Sequence, residues 1–437
     1  MKEIIFHLDI SATGYDPDET HVMVLGTAVR MKGHLPIANG PFSYLDFASG
    51  TLVAAPTNMS KATAPMVSTL DQFQKDGNGK YLVNVPYIGS ARLYISFGKS
   101  LTAIPQFAAS GPVNGKNNMV IYDKIEFDNA TAIGSTKPPN PNVNLTNVDF
   151  FGLAYQIKAI DTNTGNSRTI GFKETRATIE GKFQAIPSGT GVTGNPEYFK
   201  RLILKDAHNH LVRILAPKAA SALDWCSKKS NTVEAVQQQS HFWHDYIVNK
   251  CYVPNRQFEC FGKRWNPVTP GSKYFCEVDA TGATISIFTD SARTIPYSPC
   301  PTLPIPANPA VNGVIQPDFK SGFTEFQQLD NTPVDWGFLI SANAQGNATP
   351  PWATDDVAMS ILLSICRGCM HMDQATDWTD SNNWYTSAAP VFFYAKILHE
   401  AAIGGLAYAL SYDDIFGNDP SIYISGHPDV DVTFDKV

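Results

Sequence analysis

A mainly β fold, a sandwich or barrel joined to a mixed α/β region, is what the sequence predicts, and three observations carry it. From Met1 to about Ile186, short runs of alternating apolar and polar residues are punctuated by Gly, Pro and Asn, the pattern of strands separated by turns. Charged residues make up only 17% of the chain, below the roughly 25% of an average soluble protein, while Gly and Pro number 31 and 30. Strand-like runs also return at the C-terminus, after a helical segment.

Taken in order, EIIFHLDI, HVMVLGTAV, KYLVNVPYI, ARLYISFG, VIYDKIEFD and VDFFGLAYQIKAI read as strands, and RATIEGKFQAI carries a similar alternation. The middle of the chain is mixed. A helix is predicted from Val233 to about Lys250, with Asn231 as N-cap, Glu234 three residues later, and Val233, Val236, Trp243 and Ile247 on one stripe. A second helix is predicted after Thr354, with Asp355 and Asp356 suiting the positive end of its dipole, and it stops near Gly368. Between these two lies SPCPTLPIPANPAVNG, too rich in proline for helix or sheet. A third helix runs from Pro390 to Gly404 and Gly405, and GLAYALSYDD and DVDVTF then read as strands. This order predicts a β domain over 1–186 that is completed by 386–437, with 187–385 inserted as a mixed α/β domain. No internal repeat is visible. A chain of 437 residues is long enough for two or three such units, each with its own core.

The net charge is −7 with no run of lysine or arginine, which disfavours a nucleic-acid groove or an anionic membrane surface and leaves neutral partners such as sugars open. No apolar run approaches the roughly 20 residues of a membrane helix, and the start, MKEIIFHLDISATGYD, has Glu3 and Asp9 where a secretory signal would be uninterruptedly apolar. All seven cysteines lie in the second half. Their odd number leaves at least one unpaired in a monomer, and spacing does not separate bridges from buried thiols.

Asp149 is set into VDFFGLAYQIK, a run so apolar that a carboxylate there asks for a partner or a wet cleft. Glu126 is the best candidate. Alternation in VIYDKIEFDNA puts Ile121, Ile125 and Phe127 on one face and Tyr122, Lys124, Glu126 and Asp128 on the other. The midpoint between 126 and 149 falls at Lys137 and Pro138, inside the turn-rich GSTKPPNPN, so one hairpin would set the two carboxylates nearly opposite each other. Like charges opposed on adjacent strands are destabilising, which favours a task for the pair. Two carboxylates flanking a sugar are the usual equipment for hydrolysing a glycosidic bond. The alternative is that the strands are not neighbours and both acids are solvated.

Other constellations are weaker. HFWHD places His241, His244 and Asp245 within one helical turn, but they flank the buried stripe, and the structural reading is preferred to a metal site. DAHNH, with His208 and His210, reads as a loop. CRGC, Cys366 to Cys369, is a lone C-x-x-C at the end of a helix, where the dipole does not help form a thiolate, and reads as structural. Near the C-terminus, Trp384 and Tyr385 precede the third helix, and Asp413 and Asp414 end a strand on a loop with Phe416 and Gly417. Aromatics beside acids suit sugar rings, and equally suit anchoring of the helix with the aspartates as turn residues. Of four N-x-S/T patterns, at Asn58, Asn129, Asn144 and Asn347, a glycan on Asn144 would crowd the proposed dyad.

The run IEFDNA followed by LTNVDFFGL resembles the paired segments of glycoside hydrolase family 64, endo-β-1,3-glucanases related in fold to thaumatin-like proteins. The resemblance extends to ARLYISFGKSL upstream and to NNWY, ILHE and GLAYALSYDDIFG downstream, in the same order over most of the chain. It implies a β barrel or sandwich packed against a mixed α/β domain, with a wide groove between them for a β-1,3-glucan chain. It further implies Glu126 as general acid, Asp149 as general base, and Thr146 as a hydroxyl residue lining the sugar sites. Asp128, Trp384, Tyr385, Asp413 and Asp414 fall near the groove as substrate-binding candidates. An inverting reaction, no cofactor or metal, a polysaccharide or oligosaccharide partner and action outside the cell are implied with it. The chain departs from the family pattern in a longer loop between the acids, in Ala154 where proline is common, and in bulky Phe416 where small residues are usual. A second expectation of a different class is a catalytically silent glucan-binding, structural or antifungal protein. Retention of both acids favours the enzyme.

Overall fold

Ile4, Phe6 and Leu8 alternate with Ile5, His7 and Asp9 along the first strand, and those three apolar side chains are wholly buried. In the computed structural model the described residues are 4–33, 35–55, 66–102, 119–131, 133–136, 139–160, 165–187, 199–200, 202–216, 246–262, 273–282, 284–298, 302–304, 356–386, 391–409, 413, 419–424 and 429–437. The strand Ile4–Asp9 belongs to a five-stranded sheet ordered Ser167–Gly171, Tyr155–Ile160, Asp429–Phe434, Ile4–Asp9, Tyr81–Val85. Its central strand is the last of the chain, parallel to Ile4–Asp9 and antiparallel to Tyr155–Ile160.

A second, eight-stranded sheet runs Ser421–Tyr423, Asn142–Leu145, Ile121–Asp128, Ile88–Phe97, Thr20–Ala28, Phe42–Asp46, Thr51–Ala54, with Ser68–Thr69 paired to Thr20–Ala28. The two sheets share one core. Phe6 meets Phe127 edge-on at 5.1 Å between centroids and Phe97 meets Phe434 at 5.8 Å. The fold is thus mainly β with several sheets and few helices. Among the described residues neither large sheet closes on itself, so of the two architectures left open by the sequence the sandwich stands and the barrel does not.

Smaller sheets are attached. Phe150–Phe151, Leu211–Leu215 and Ile203–Lys205 form one, and Gln257–Phe261, Lys273–Val278, Thr284–Phe288 and Thr302–Pro304 form an antiparallel meander. The helices Asp356–Cys366 and Phe393–Ala401 lie where the second and third helices are predicted, the former ending before Gly368 at φ 73°. Most of the helix predicted over 233–250 lies outside the described residues, which show there only a π-helical turn, Ile247–Cys251.

Four expectations are corrected, the first being that SPCPTLPIPANPAVNG enters no sheet: its Thr302–Pro304 pairs with Thr284–Phe288. RATIEGKFQAI is not a strand but holds the helix Arg176–Gln184: Thr175 accepts the Thr178 N–H as N-cap, and Ile179 and Phe183, four apart, are wholly buried on one face. VDFFGLAYQIKAI is not one strand but two. Phe150–Phe151 pairs with Leu211–Leu215, the chain turns through 152–154, and Tyr155–Ile160 enters the five-stranded sheet. In GLAYALSYDD, residues 406–409 form no strand, and 410–412 and 414 lie outside the described residues.

The central strand Asp429–Phe434 buries Val430, Val432 and Phe434, and the Phe434 ring also touches Tyr155 at 5.6 Å. Phe434→Ala should therefore cost about 3–5 kcal/mol, measured as a fall in the urea midpoint at constant slope. A midpoint equal to that of the wild type would show that the junction of chain ends does not hold the sandwich together.

Candidate functional site

The strand Ile121–Asp128 lies between Ile88–Phe97 and Asn142–Leu145. Ile125 and Phe127 enter the shared core, whereas Tyr122 packs in a second, smaller cluster on the outer face with Tyr94 and Phe150, ring centroids 6.4 and 5.0 Å away. The fully buried guanidinium of Arg213 stacks over Tyr122 and Phe150 at 4.4 and 5.1 Å and donates to the Val120 carbonyl. Lys124 and Glu126 follow Tyr122 on this face.

Glu126 accepts two hydrogen bonds from Arg92 on the neighbouring strand, Nε at 2.8 Å and Nη2, both on Oε1. Asp149 accepts from Lys124 Nζ on Oδ2. Both carboxylates act on Arg92: burial works to lower the pKa of its guanidinium, but the charges of Glu126 and Asp149 are among those that outweigh it and leave the pKa raised. The outer face thus brings the two acids into one electrostatic group with two cations. The side chains of Glu126 and Asp149 keep 21% and 27% of their surface, against 3% for Lys124, so the acids remain reachable from solvent.

The expected opposition of the two acids is corrected. Their segments do pair antiparallel, but Glu126 faces Asn144, because the pairing is centred on Ser135 and not on Lys137 and Pro138. The ladder ends at Leu145. Asp149 lies beyond it and comes back to Lys124, two residues before Glu126 on the same face. Lys124, Arg92 and Arg213, which settle the charge of this face, were not singled out from the sequence. For Arg92 and Lys124 the signal was present in ARLYISF and VIYDKIEFD, where alternation puts Arg92 beside Tyr94 and Lys124 beside Glu126.

The turn that carries Asp149 is clamped from below. Asp123, wholly buried, accepts the Gly152 and Leu153 N–H groups on Oδ2 at 2.8 and 2.9 Å and the Lys124 N–H on Oδ1 at 2.8 Å. Burial pushes its pKa up to about 6 despite those donors and the Lys124 charge. Arg176 donates to the Gly152 carbonyl at 2.7 Å and to the Leu211 and Val212 carbonyls, tying this turn to the adjoining small sheet.

The remaining candidates divide. Asp128 is spent on the backbone, accepting the Ser90 and Ala130 N–H groups at 3.1 and 2.8 Å, and burial raises its pKa against them. Thr146 is buried, with its hydroxyl unpartnered among the described residues. Trp384 and Tyr385 are more than nine-tenths buried. Trp384 donates to the Trp378 carbonyl, and Tyr385, at φ 55°, donates its N–H to the Arg367 carbonyl at 2.7 Å. Asp413 is wholly buried, inside the protein and not at its surface. Its carboxylate accepts from Arg367 Nη2 and His399 Nε2, each at 2.8 Å, and from the Ala409 N–H at 3.0 Å. Arg367 in turn stacks on Trp384 at 3.9 Å. Asp414, like His241, His244 and Asp245, lies outside the described residues.

The helix Phe393–Ala401 joins the two groups. Tyr394 donates to the Asn147 carbonyl at 2.6 Å, two residues before Asp149, and His399 holds Asp413. Asn129 is buried, with its amide bonded to the Ile88 N–H and the Pro86 carbonyl, so it is not placed to carry a glycan. His208 and His210 sit on a turn organised by Asp206, as the loop reading has it. The Cys369 thiol is buried and pushed up to about 12, the state of a structural thiol.

Burial alone would raise the pKa of Asp413, but His399 and Arg367 outweigh it and hold it down to about 2. A depressed folded-state pKa means that this contribution is fully present above the ordinary value of 3.8 and is lost as pH falls through about 2. Asp413→Asn should cost about 3–5 kcal/mol at pH 7 by leaving Arg367 buried without its counter-charge, and should lose this part of the acid sensitivity. Urea melts at pH 7, 4 and 2.5 test both; a variant as stable as the wild type at pH 7 would show that the charge is not needed.

A family model described as β-1,3-glucanase, glycoside hydrolase family 64, matches residues 15–261 and 331–431. Among solved structures, a laminaripentaose-producing β-1,3-glucanase in complex with laminaritetraose is similar at a TM-score of 0.63 and 16% identity, covering 100% of this chain and 98% of that one. A family 64 β-1,3-glucanase domain from Clostridium beijerinckii is similar at a TM-score of 0.60 and 16% identity, covering 99% and 98%. A laminaripentaose-producing enzyme of the same family from Paenibacillus barengoltzii gives 0.53 and 18%, covering 99% and 75%. At these identities the likeness is one of fold. A comparison with curated proteins returned no match.

Proposed function

The chain belongs to glycoside hydrolase family 64, the β-1,3-glucanases, and on that premise we propose that it cleaves β-1,3-glucan internally with Glu126 as acid and Asp149 as base. The observation that carries the assignment is that these two acids lie partly exposed on one face, Glu126 held by Arg92 and Asp149 held by Lys124, two residues before Glu126 on the same strand. On this reading a glucan chain lies across the outer face of the eight-stranded sheet; that two of the similar structures hold a laminari-oligosaccharide supports the substrate class. The groove is bounded on one side by the turn carrying Asp149.

The division of oxygens supports the two roles. Arg92 engages Oε1 of Glu126 and leaves Oε2 to carry the proton. That proton passes to the glycosidic oxygen as the bond to the anomeric carbon breaks, and Arg92 stabilises the carboxylate that remains. Lys124 engages Oδ2 of Asp149 on the open face, where the carboxylate keeps 27% of its surface and meets the water. The water adds to the anomeric carbon from the opposite face and gives its proton to Asp149, so the configuration inverts. Trp384 and Tyr385, packed inward with Arg367 and His399, shape the wall of the groove and do not stack on the sugar.

Glu126→Gln and Asp149→Asn should each lower laminarin hydrolysis by about 10²- to 10⁴-fold, with binding to insoluble curdlan retained. Proton NMR before mutarotation should show the new reducing end as the α-anomer. Near-wild-type hydrolysis in either variant removes that residue from the mechanism, and a β-anomer excludes inversion.

A further inference from the structure

Arg176, whose guanidinium donates to the Gly152 carbonyl, also lines a cavity of about 760 Å³. The cavity is walled by the helix Arg176–Gln184, by the turn 206–210 between Ile203–Lys205 and Leu211–Leu215, and by residues 435–437, with Tyr15 and Ile121 completing it. Ile121 is five residues from Glu126 along one strand, roughly 17 Å at the rise of an extended chain, so the cavity is apart from the two acids. We propose that it is a second carbohydrate site, which takes a short β-1,3-gluco-oligosaccharide. The choice of that ligand rests on glucan being the substrate of the outer face.

Four observations converge on it. The size lies within the roughly 300–1,000 Å³ of small-molecule sites. The charge of the described lining is balanced, with Glu180, Asp206 and Asp435 against Arg176, Lys205 and Lys436. Lys205 pairs with Glu180 at 2.8 Å, and the Arg176 guanidinium is committed to the Gly152, Leu211 and Val212 carbonyls. A lining so matched has no field to draw in an ion, and it favours a ligand without charge. The polar groups are also of both kinds: carboxylates accept, an ammonium donates, and the Asn209 amide does both, which suits sugar hydroxyls that each donate and accept. Finally, Tyr15, Ile121 and Val437 are partly buried against the main core, and the Tyr15 ring lies 5.4 Å from that of Phe97. A fixed aromatic and aliphatic surface therefore lines the cavity, of the kind on which the apolar face of a pyranose ring packs.

The walls are held before any ligand arrives. Asp206 accepts the His208 and His210 N–H groups and so shapes the turn, and Asp435 accepts the Arg176 N–H at 3.1 Å, tying residues 435–437 to the start of the helix. Ordering these elements costs little on binding. Ala177, Asn209, His210 and Lys436 are exposed, so the rim is open to solvent.

The test is amide hydrogen exchange of the full chain carrying Glu126→Gln, with and without millimolar laminaritriose, and with thermal unfolding as a check on folding. The amides of 176–180 and 205–211 should gain protection, as should those of 142–153 beside the two acids. Adding Tyr15→Ala should raise the laminaritriose concentration for half-protection at 176–180 and 205–211 by about 3- to 10-fold, as loss of a packed aromatic does, and leave that at 142–153 unchanged. Protection confined to 142–153, a Tyr15→Ala variant with unaltered protection, or equal protection of 176–180 and 205–211 by citrate, a trianion, overturns the inference. If Tyr15→Ala does not fold, Asn209→Gly with His210→Ala carries the same comparison from the exposed rim, where φ of 66° at residue 209 suits glycine. A wild-type chain that does not hydrolyse laminarin overturns instead the reading of the outer face, and the cavity is then judged by its own protection.

Discussion

Gly152 has no room for a side chain: a Cβ there would stand 2.1 Å from the Tyr122 carbonyl oxygen. That close approach is the constraint on which the site depends. It lets the chain pass tight against the strand bearing Glu126, so that the N–H groups of 152 and 153 reach the Asp123 carboxylate and Arg176 reaches the Gly152 carbonyl. Any larger residue would lift the turn off the strand, and the carboxylate of Asp149, three residues earlier, would move with it. The odd aspartate in an apolar run therefore marks the point where the chain, having left the eight-stranded sheet at Leu145, enters the small sheet at Phe150. A charge is tolerable there because the backbone is between ladders and the side chain faces the open side, against a lysine.

A second support comes from the helix Phe393–Ala401, buried along Tyr394, Ile397, Leu398 and Ala401. It is short, but its two ends do different work. Near its start Tyr394 holds the segment leading to Asp149; near its end His399 holds the Arg367–Asp413 pair against Trp384. The buried Trp384–Arg367–Asp413 group and the acid-bearing turn are thereby parts of one packed unit, and the order of the open face is a property of the interior beneath it.

Much of this was legible in the sequence. Alternation in VIYDKIEFD placed Glu126 on the outer face, and the apolar setting of Asp149 flagged it. What could not be read was register and crossover: Glu126 faces Asn144 because the turn is centred a few residues away from the apparent midpoint, and no local signal distinguishes the two centres. The helix Arg176–Gln184 was missed because five residues of alternation fit either period; its cap, Thr175, was the better signal. Asp413 looked like a loop acid because its partner Arg367 is 46 residues away, and burial of a charge depends on such a partner. Long-range pairing of charges is what a single sequence hides most completely.

The central place of Asp429–Phe434 in the five-stranded sheet also sets an order in time. During synthesis Ile4–Asp9 can pair with Tyr81–Val85, and Tyr155–Ile160 with Ser167–Gly171, as soon as each hairpin or loop closes. These two halves have no ladder between them until the final strand is made, and each keeps a bare edge toward the gap. Closing it requires contacts that span almost the whole chain, the slowest kind to form. Because Tyr155–Ile160 begins just beyond the segment 149–154, the nascent chain fixes the position of the Asp149 carboxylate only after Asp429–Phe434 has been made and has entered the middle of the sheet.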